Sequence, residues 1–514
     1  MKSIGTILIY LILISILPLS VGYYLFYVNN SDFNVVEVNY ILDDQFNEYT
    51  KDSVLINTRN LLINKKYNEL NLYLEKLDKK YETDITKEDV LFLSYSAFGI
   101  EDIAYEPFFN SWIEFSPKSY IPYLARGVFY YHMGWKARGS RWAKETRDEQ
   151  FKKMHDYFKK SKDDLEKSLS INKNAVYAYY TFLRIANVEG NTDEEIKNFL
   201  KKALEINPHT LKVRQKYLRS ITPRWGGSYK KMEDYIKNAE LDLNANPKLQ
   251  YLYGYIDSEK ASIEEISKKY TSAREYYLRS LSLSGEYDYI LFQLGKISVR
   301  KEDYTVGKEE LSKAIEMNKE YSDYFYWRTF AYTNLKEYKK AIDDILYAYN
   351  LEPYSEKIKR RKVQIAQILN AEAYELRRKY EHDKALELYN LALQVDLEND
   401  SIYNGRARAY ILKQDLVSAL EDIKIAIEIN PNDISHYLLI DYILAKGKNW
   451  EEIISYWDKF IELNPKNPRA YVERGGAYYH NRNIQKAVEN AKISADLGNL
   501  EGKEAYEKFK HLAK

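Results

Sequence analysis

The chain contains no cysteine. Disulfides, thiolate nucleophiles, zinc–thiolate sites, iron–sulfur clusters and lipid attachment through cysteine are thereby excluded, while the redox compartment stays open. An excess of one charge is missing as well. The 77 Lys and Arg balance 76 Asp and Glu to a formal net charge of +1, so bulk attraction to nucleic acid or an acidic surface is not indicated. No P-loop, nucleophile elbow or dinucleotide fingerprint occurs, and GWKARGS lacks the spacing to cradle phosphates. The seven histidines, His132, His155, His209, His382, His436, His480 and His511, have no ligand partner three or four residues further on. These absences predict no catalytic residue, no cofactor, no metal and no nucleic-acid partner. What is plentiful is tyrosine, at 51 residues. It serves as a core filler, or it lines an aromatic binding groove.

A period of 34 residues organises the stretch 254–499. Ala273, Gly307 and Ala341 are 34 apart, and Ala385, Ala419, Ile453 and Ala487 continue at the same step. A second series, Ser280, Ala314, Ala348, Ala392, Ala426, Phe460 and Ser494, lies seven positions later. A third, Ala261, Gly295, Thr329, Ala373, Ala407, Asp441 and Gly475, lies twelve positions before the first. A fixed period of this length marks a stacked repeat array. Small residues recur where two helices cross, because a larger side chain there costs ~1–3 kcal/mol by overpacking. Tyr277, Leu311, Ile345, Tyr389, Ile423 and Trp457 complete one apolar helix face. Pro353, Pro431 and Pro465 close a helix at the same point of three repeats. Two irregularities stand out. The step from Ala341 to Ala385 is 44, and ten extra residues are close to three helical turns, so one long helix is expected from about Ser355 to Lys379. In the sixth unit Asp441, Ile453 and Phe460 replace all three small residues, so its two helices should be spread apart, by local repacking or as a hinge or pocket near Trp457.

FAYTNLKEYKKAIDDILYAYNLEP, with Tyr332, Tyr338, Ala341, Ala348 and Pro353 at hallmark positions, resembles the tetratricopeptide repeat family. The resemblance implies an all-α solenoid, a right-handed superhelix of helix pairs, whose concave face binds a protein or peptide. Concave-face positions carried over from the family are Tyr255, Tyr289, Phe292, Tyr326, Phe330, Asn370, Tyr374, Arg377, Asn404, Arg408, Leu438 and Tyr442. An aromatic face with two arginines and two asparagines suits an extended or helical peptide of some acidic character. The lysines of the family's two-carboxylate clamp are missing.

Residues 4–28 form an apolar run without charge, long enough to cross a bilayer. Lys2 precedes it, and Asp32, Glu37, Asp43 and Asp44 follow it before the next cation at Lys51. That asymmetry places the N-terminus inside and the body outside. The segment 1–28 is thus a transmembrane anchor, or a signal sequence cleaved near Ser20 and Gly22. The first reading gives a single-pass protein of the bacterial cytoplasmic membrane with its body in the periplasm or outside, and the second a secreted or periplasmic one. Residues 29–50 form a tether.

The region 51–240 is helix-rich. Its Trp112, Pro117, Ala125, Arg126, Gly127, Trp135, Ala137, Arg138 and Gly139, with Pro223, Arg224, Trp225, Gly226, Gly227 and Ser228, resemble the bacterial domain of unknown function 4034, which implies a family and no reaction. KALEINPHT and LEKSLSINKNA carry repeat-type helix ends, so helix pairs are expected from the start, with a seam within 237–253. Arg138, Arg141 and Arg147, in a run with Trp135 and Trp142, could bind an anion, or pair with Glu145, Asp148 and Glu149. KIKRRK at Lys357–Lys362 is a solvated helix face or a lipid head-group contact. The end, 500–514, reads as a capping helix whose Lys503, Glu504, Glu507, Lys508 and Lys510 stay wet. Two functional readings result. One is a membrane-tethered, non-catalytic scaffold that binds a protein partner through the groove. The other is an envelope-associated enzyme, or a lipid- or glycan-binding protein, whose N-terminal helical domain carries the site and whose repeats recruit it.

Overall fold

The computed structural model describes residues 53–139 and 145–512. Among them every regular element is helical and no strand occurs. The apolar run 4–28 and the tether lie outside the described residues. Within the described residues no helix is long and apolar enough to cross a membrane.

The first ten helices are α1 (Val54–Ile63), α2 (Tyr67–Tyr81), α3 (Glu88–Ser96), α4 (Glu106–Phe115), α5 (Ile121–Arg138), α6 (Asp148–Ile171), α7 (Val176–Glu189), α8 (Asp193–Ile206), α9 (Leu211–Ser220) and α10 (Tyr229–Asn238). The repeats supply α11 (Tyr255–Ile266), α12 (Tyr270–Ser284), α13 (Asp288–Arg300), α14 (Tyr304–Met317), α15 (Ser322–Asn334), α16 (Tyr338–Leu351), α17 (Glu356–Arg378), α18 (His382–Val395), α19 (Asp400–Leu412), α20 (Leu416–Ile429), α21 (Ile434–Lys446), α22 (Trp450–Leu463), α23 (Pro468–His480), α24 (Ile484–Asp496) and α25 (Leu500–Leu512). The chain divides into two compact units, one of residues 1–335 with 347–359, the other of 336–346 with 360–514.

In the first unit a continuous core runs from Leu62 to Leu252. Tyr255, Ile256 and Tyr354 pack against it from beyond the expected seam, and the compact unit itself extends on through the first repeats. The α5–α6 pair shows why its sequence carries glycine. A Cβ on Gly134 would lie 2.6 Å from the Phe158 ring, and the Ser161 hydroxyl donates to the Gly127 carbonyl at 2.6 Å. In the TPRWGGS turn Gly226 has φ +82, and a Cβ on Gly227 would fall 1.9 Å from the Ile221 carbonyl oxygen. The leucine-bearing stretch 54–81 is broken at Lys65, whose φ is +54. The result is a helix pair, α1–α2, at the very start of the described chain.

The three small-residue series are buried where the helices cross, save for the half-buried Asp441; Ala273, Ala341, Ala385, Ala419 and Ala487 have no exposed surface. The backbone keeps the same period. Lys268, Glu302, Lys336, Tyr380, Gln414, Lys448 and Arg482 all have φ between 58 and 65, each in the turn between the two helices of a pair. Their steps are 34 residues with a single step of 44. The inserted ten residues are taken up in α17, which runs from Glu356 to Arg378.

In the second unit, the sixth pair, α21–α22, is filled where the others are empty. Ile453, Trp457 and Phe460 are each 1% exposed. Trp457 Nε1 donates to Asp441 Oδ2 at 2.8 Å, and Tyr437 lies 4.8 Å from the Phe460 ring. The two backbones run close together over a shorter length than in α19–α20, as bulk at the crossing requires. At the end of the chain Phe509 of α25 stacks on Tyr479 at 4.9 Å. Lys503, Glu504, Glu507 and Lys508 face water.

Candidate functional site

In the second unit the first helix of each pair presents one face. Asn370, Tyr374 and Arg377 lie on α17, Asn404 and Arg408 on α19, Leu438 and Tyr442 on α21. Spacings of three and four keep them aligned. Tyr374 is 46% and Tyr442 48% exposed, values far above those of the core tyrosines behind them. The Arg377 guanidinium lies 5.2 Å over the Tyr374 ring, and Asn370 donates to the Ser401 hydroxyl at 3.1 Å.

Asn404 takes a different part. It is buried, its carbonyl oxygen accepts from Arg408 Nε at 2.8 Å, and its amide donates to His436 Nδ1 at 2.8 Å. His436 Nε2 then faces Asp400 at 2.9 Å. Asp400, Asp433 and His436 thus converge as a metal site would, within 4.8 Å of one another. Both imidazole nitrogens have partners, Asn404 and Asp400, and Asn404 in turn accepts from Arg408. Ligand spacing counted downstream from each histidine does not reveal this cluster, because Asp433 lies three residues before His436.

Neither Arg377 nor Arg408 lies within ion-pair distance of a carboxylate among the described residues, and Arg377 Nε is buried without a hydrogen-bond partner. Burial, then the charge of Arg377, push Arg408 below the usual arginine range. Two like charges held together beside exposed tyrosines make a surface complementary to an anion.

The first unit has its own such face. Tyr289 is 37% exposed, and Tyr255, Tyr326 and Phe330 are half-buried. Tyr326 meets Phe330 edge-on at 5.3 Å. Phe292 is only 7% exposed; it packs 4.8 Å from Tyr324 under Lys296, so it supports the face from behind.

Of the arginines in the basic run at the end of α5, Arg138 and Arg147 are described, and both contact Gln150. Arg138 lies over Trp135 at 5.6 Å and over Phe151 at 5.9 Å. Arg147 is the N-cap residue of α6, paired with Gln150. Arg141 lies outside the described residues. In KIKRRK, Lys357 pairs with Asp323, Lys359 with Glu356, and Arg361 is buried. Arg126 is structural: Nε and Nη2 grip Asp164 at 2.8 Å each, and Nη1 donates to Asn110, sixteen residues earlier. Arg406 makes the same fork to Asp422 and to Asn390, again sixteen earlier. The motif tryptophans divide. Trp112 is fully buried and donates to Asn71. Trp135 and Trp225, ninety residues apart, meet at the wall of one cavity that also takes in Arg184, Lys216 and Arg219. Lys216 and Arg219 share one face of α9, but Arg184 comes from α7, so no local spacing joins the three.

The family model described as Domain of unknown function (DUF4034) matches residues 54–158 and 170–250. The TPR repeat-containing protein MJ1428 of Methanocaldococcus jannaschii is 25% identical over 426 residues, covering 76% of this chain and 72% of that protein. The mitochondrial import receptor subunit TOM70 of Saccharomyces cerevisiae is 32% identical over 95 residues, 18% of this chain and 14% of the receptor. Among solved structures, that of YrrB, a TPR protein with an unusual peptide-binding site, aligns with 20% identity over 38% of this chain and 97% of its own, at a TM-score of 0.26. With helix pairs at a 34-residue period, small residues at every crossing but one and this similarity to MJ1428, the chain is similar to tetratricopeptide repeat proteins, and its N-terminal region matches the DUF4034 model.

Proposed function

We propose that this protein is a non-catalytic scaffold that holds an acidic segment of a partner protein on the first-helix face of its repeats. The observation that carries the reading is the pairing of exposed Tyr374 and Tyr442 with Arg377 and Arg408, two cations that no carboxylate meets at ion-pair distance, Asp433 acting on Arg408 only from further off. Exposed tyrosines offer large contact area at low cost in side-chain entropy, and arginines fork onto carboxylates. The apolar run 4–28, with cations before it and acids after it, supports a body held outside a bacterial cytoplasmic membrane by its N-terminal anchor.

The test is in-cell cross-linking followed by purification of the full chain. Wild type is compared with a Tyr374→Ala/Arg377→Ala/Arg408→Ala variant and, separately, with Tyr289→Ala/Tyr326→Ala/Phe330→Ala. The same partner should be lost from the first variant while circular dichroism stays unchanged. Equal recovery from wild type and both variants rejects the face as the binding surface.

A further inference from the structure

The cavity of about 440 Å³ in the first unit lies between the C-terminal half of α5, the ends of α7 and α9, and the Pro223–Trp225 turn. That size is in the range of small-molecule sites. Its wall carries three cations, Arg184, Lys216 and Arg219, and one carboxylate, Glu101. Glu101 lies beside Lys136 and Lys357, and none of the three wall cations is within ion-pair distance of a carboxylate among the described residues. Arg184 is held in place by other means. Its guanidinium stacks 4.0 Å from the Tyr131 ring centroid and donates to His132 Nε2 at 3.3 Å. Lys216 leans its ammonium over Tyr180 at 5.5 Å. Burial, then repulsion from Arg184 and Arg219, push Lys216 well below the usual lysine range. Burial and Arg184 likewise hold His132 neutral.

Two further groups on the wall are unanswered. Trp135 Nε1, a donor, and Asn187 Oδ1, an acceptor, are buried without any hydrogen-bond partner. Unmatched like charges and unmet polar atoms each cost stability, so their collection on one wall calls for an occupant. Trp135 and Trp225 belong to the two separate motif segments, so the cavity wall draws one tryptophan from each. We propose that the cavity binds a small organic polyanion, its phosphate or carboxylate groups held by Arg184, Lys216 and Arg219 and its carbon skeleton lying against Trp135 and Trp225. The site is independent of the first-helix face, so either reading can fail without the other.

The test uses the full chain, titrated with inorganic pyrophosphate or with citrate at constant ionic strength. The melting temperature and, by calorimetry, Kd are read. At saturation at least one anion should raise Tm by roughly 4 °C; pyrophosphate alone marks a phosphate site and citrate alone a carboxylate site. Lys216→Met should melt at or above wild type without anion, because a repelled charge is gone, and should lose the anion response. Arg219→Gln, at an exposed position, should fold normally and bind about tenfold more weakly. No shift with either anion overturns the proposal. So does an equal shift in Lys216→Met and wild type, or a fall in the anion-free Tm of Lys216→Met, which would make the lysine a structural member.

Discussion

Asp78 is a buried carboxyl of the first unit with a marked pH signature. It accepts from the hydroxyls of Tyr95 at 2.5 Å and Tyr120 at 2.8 Å. Burial nevertheless outweighs both bonds and raises its pKa to about 7, with Glu82 and Glu75 adding in the same direction. Glu88, which caps α9 through Thr210, Leu211 and Lys212, is raised to about 7 by burial as well. A raised carboxyl keeps its proton in the folded chain at a pH where the unfolded chain has lost it. Stability therefore falls as pH rises from about 4 to 7 and then levels, by about 1.4 kcal/mol for each tenfold by which folding tightens the hold on a proton. Urea unfolding at pH 5 and pH 8 should show the lower midpoint at pH 8, and Asp78→Asn should flatten the difference. An equal or higher midpoint at pH 8 in wild type sinks this account. Sterics make a second residue-scale prediction. A Cβ on Gly307 would meet Val299 at 2.8 Å and the Gly295 carbonyl at 3.1 Å, so Gly307→Leu should cost ~1–3 kcal/mol, read as a lowered urea midpoint. These crossings were legible in the sequence because the same prohibition returns every 34 residues. Arg184 and Lys216 were not, since only three-dimensional packing brings them together.

At the scale of helices, turns proved as readable as crossings once their chemistry was known. Lys65–Lys66–Tyr67 turns α1 into α2 with the same residues as Lys268–Lys269–Tyr270 and nearly those of Lys336–Glu337–Tyr338. The left-handed residue at the head of each triplet is the shared cause. Hydrophobic spacing alone does not mark the turn at Lys65, because Leu55, Leu62, Leu70 and Leu74 keep helical spacing across it. Helix caps made over long distance are a different matter. The N-terminus of α1 is satisfied by Glu320, which accepts from Ser53 Oγ at 2.8 Å, Val54 N at 2.9 Å and Leu55 N at 3.4 Å, 267, 266 and 265 residues away in sequence. Only the folded unit supplies this carboxylate, so no local pattern announces it. An anionic group there also meets the positive end of the helix dipole. Glu320→Ala should leave the repeats intact and cost α1 about 1 kcal/mol. Amide exchange would then speed up in residues 54–63 while the helices of the second unit keep their rates. Unchanged protection over 54–63 would show that packing of Leu55 and Leu62 holds the helix without its cap.

For the molecule as a whole, the solenoid class was evident from period and small-residue register, whereas the compact units were not: they divide the chain before and inside α16 and inside α17, and the ten-residue insertion in α17 reads as a longer helix, not as a division. The whole-chain charge also bears on partner binding. With a formal net charge of +1, long-range attraction supplies little steering, so any preference for acidic partners has to arise locally. On the face of the second unit it would arise at Arg377, which lies over Tyr374, and at Arg408, which is bonded to the Asn404–His436–Asp400 network. Contacts of that kind weaken with salt, but only by the few charges involved. Once a partner is in hand, its affinity should fall modestly between about 50 and 300 mM NaCl, the range over which screening of exposed charges tightens. Arg377→Gln/Arg408→Gln should weaken binding at low salt and remove most of the remaining salt dependence, while Tyr374→Ala/Tyr442→Ala should weaken binding equally at both salts. Asn404→Ala tests separately whether that network aims Arg408: freed from its bond, Arg408 should lose its aim, and the variant should resemble Arg408→Gln in salt response while keeping the charge. If Asn404→Ala instead retains wild-type affinity and salt response, Arg408 needs no bracing, and the buried Asn404–His436–Asp400 network serves the fold alone.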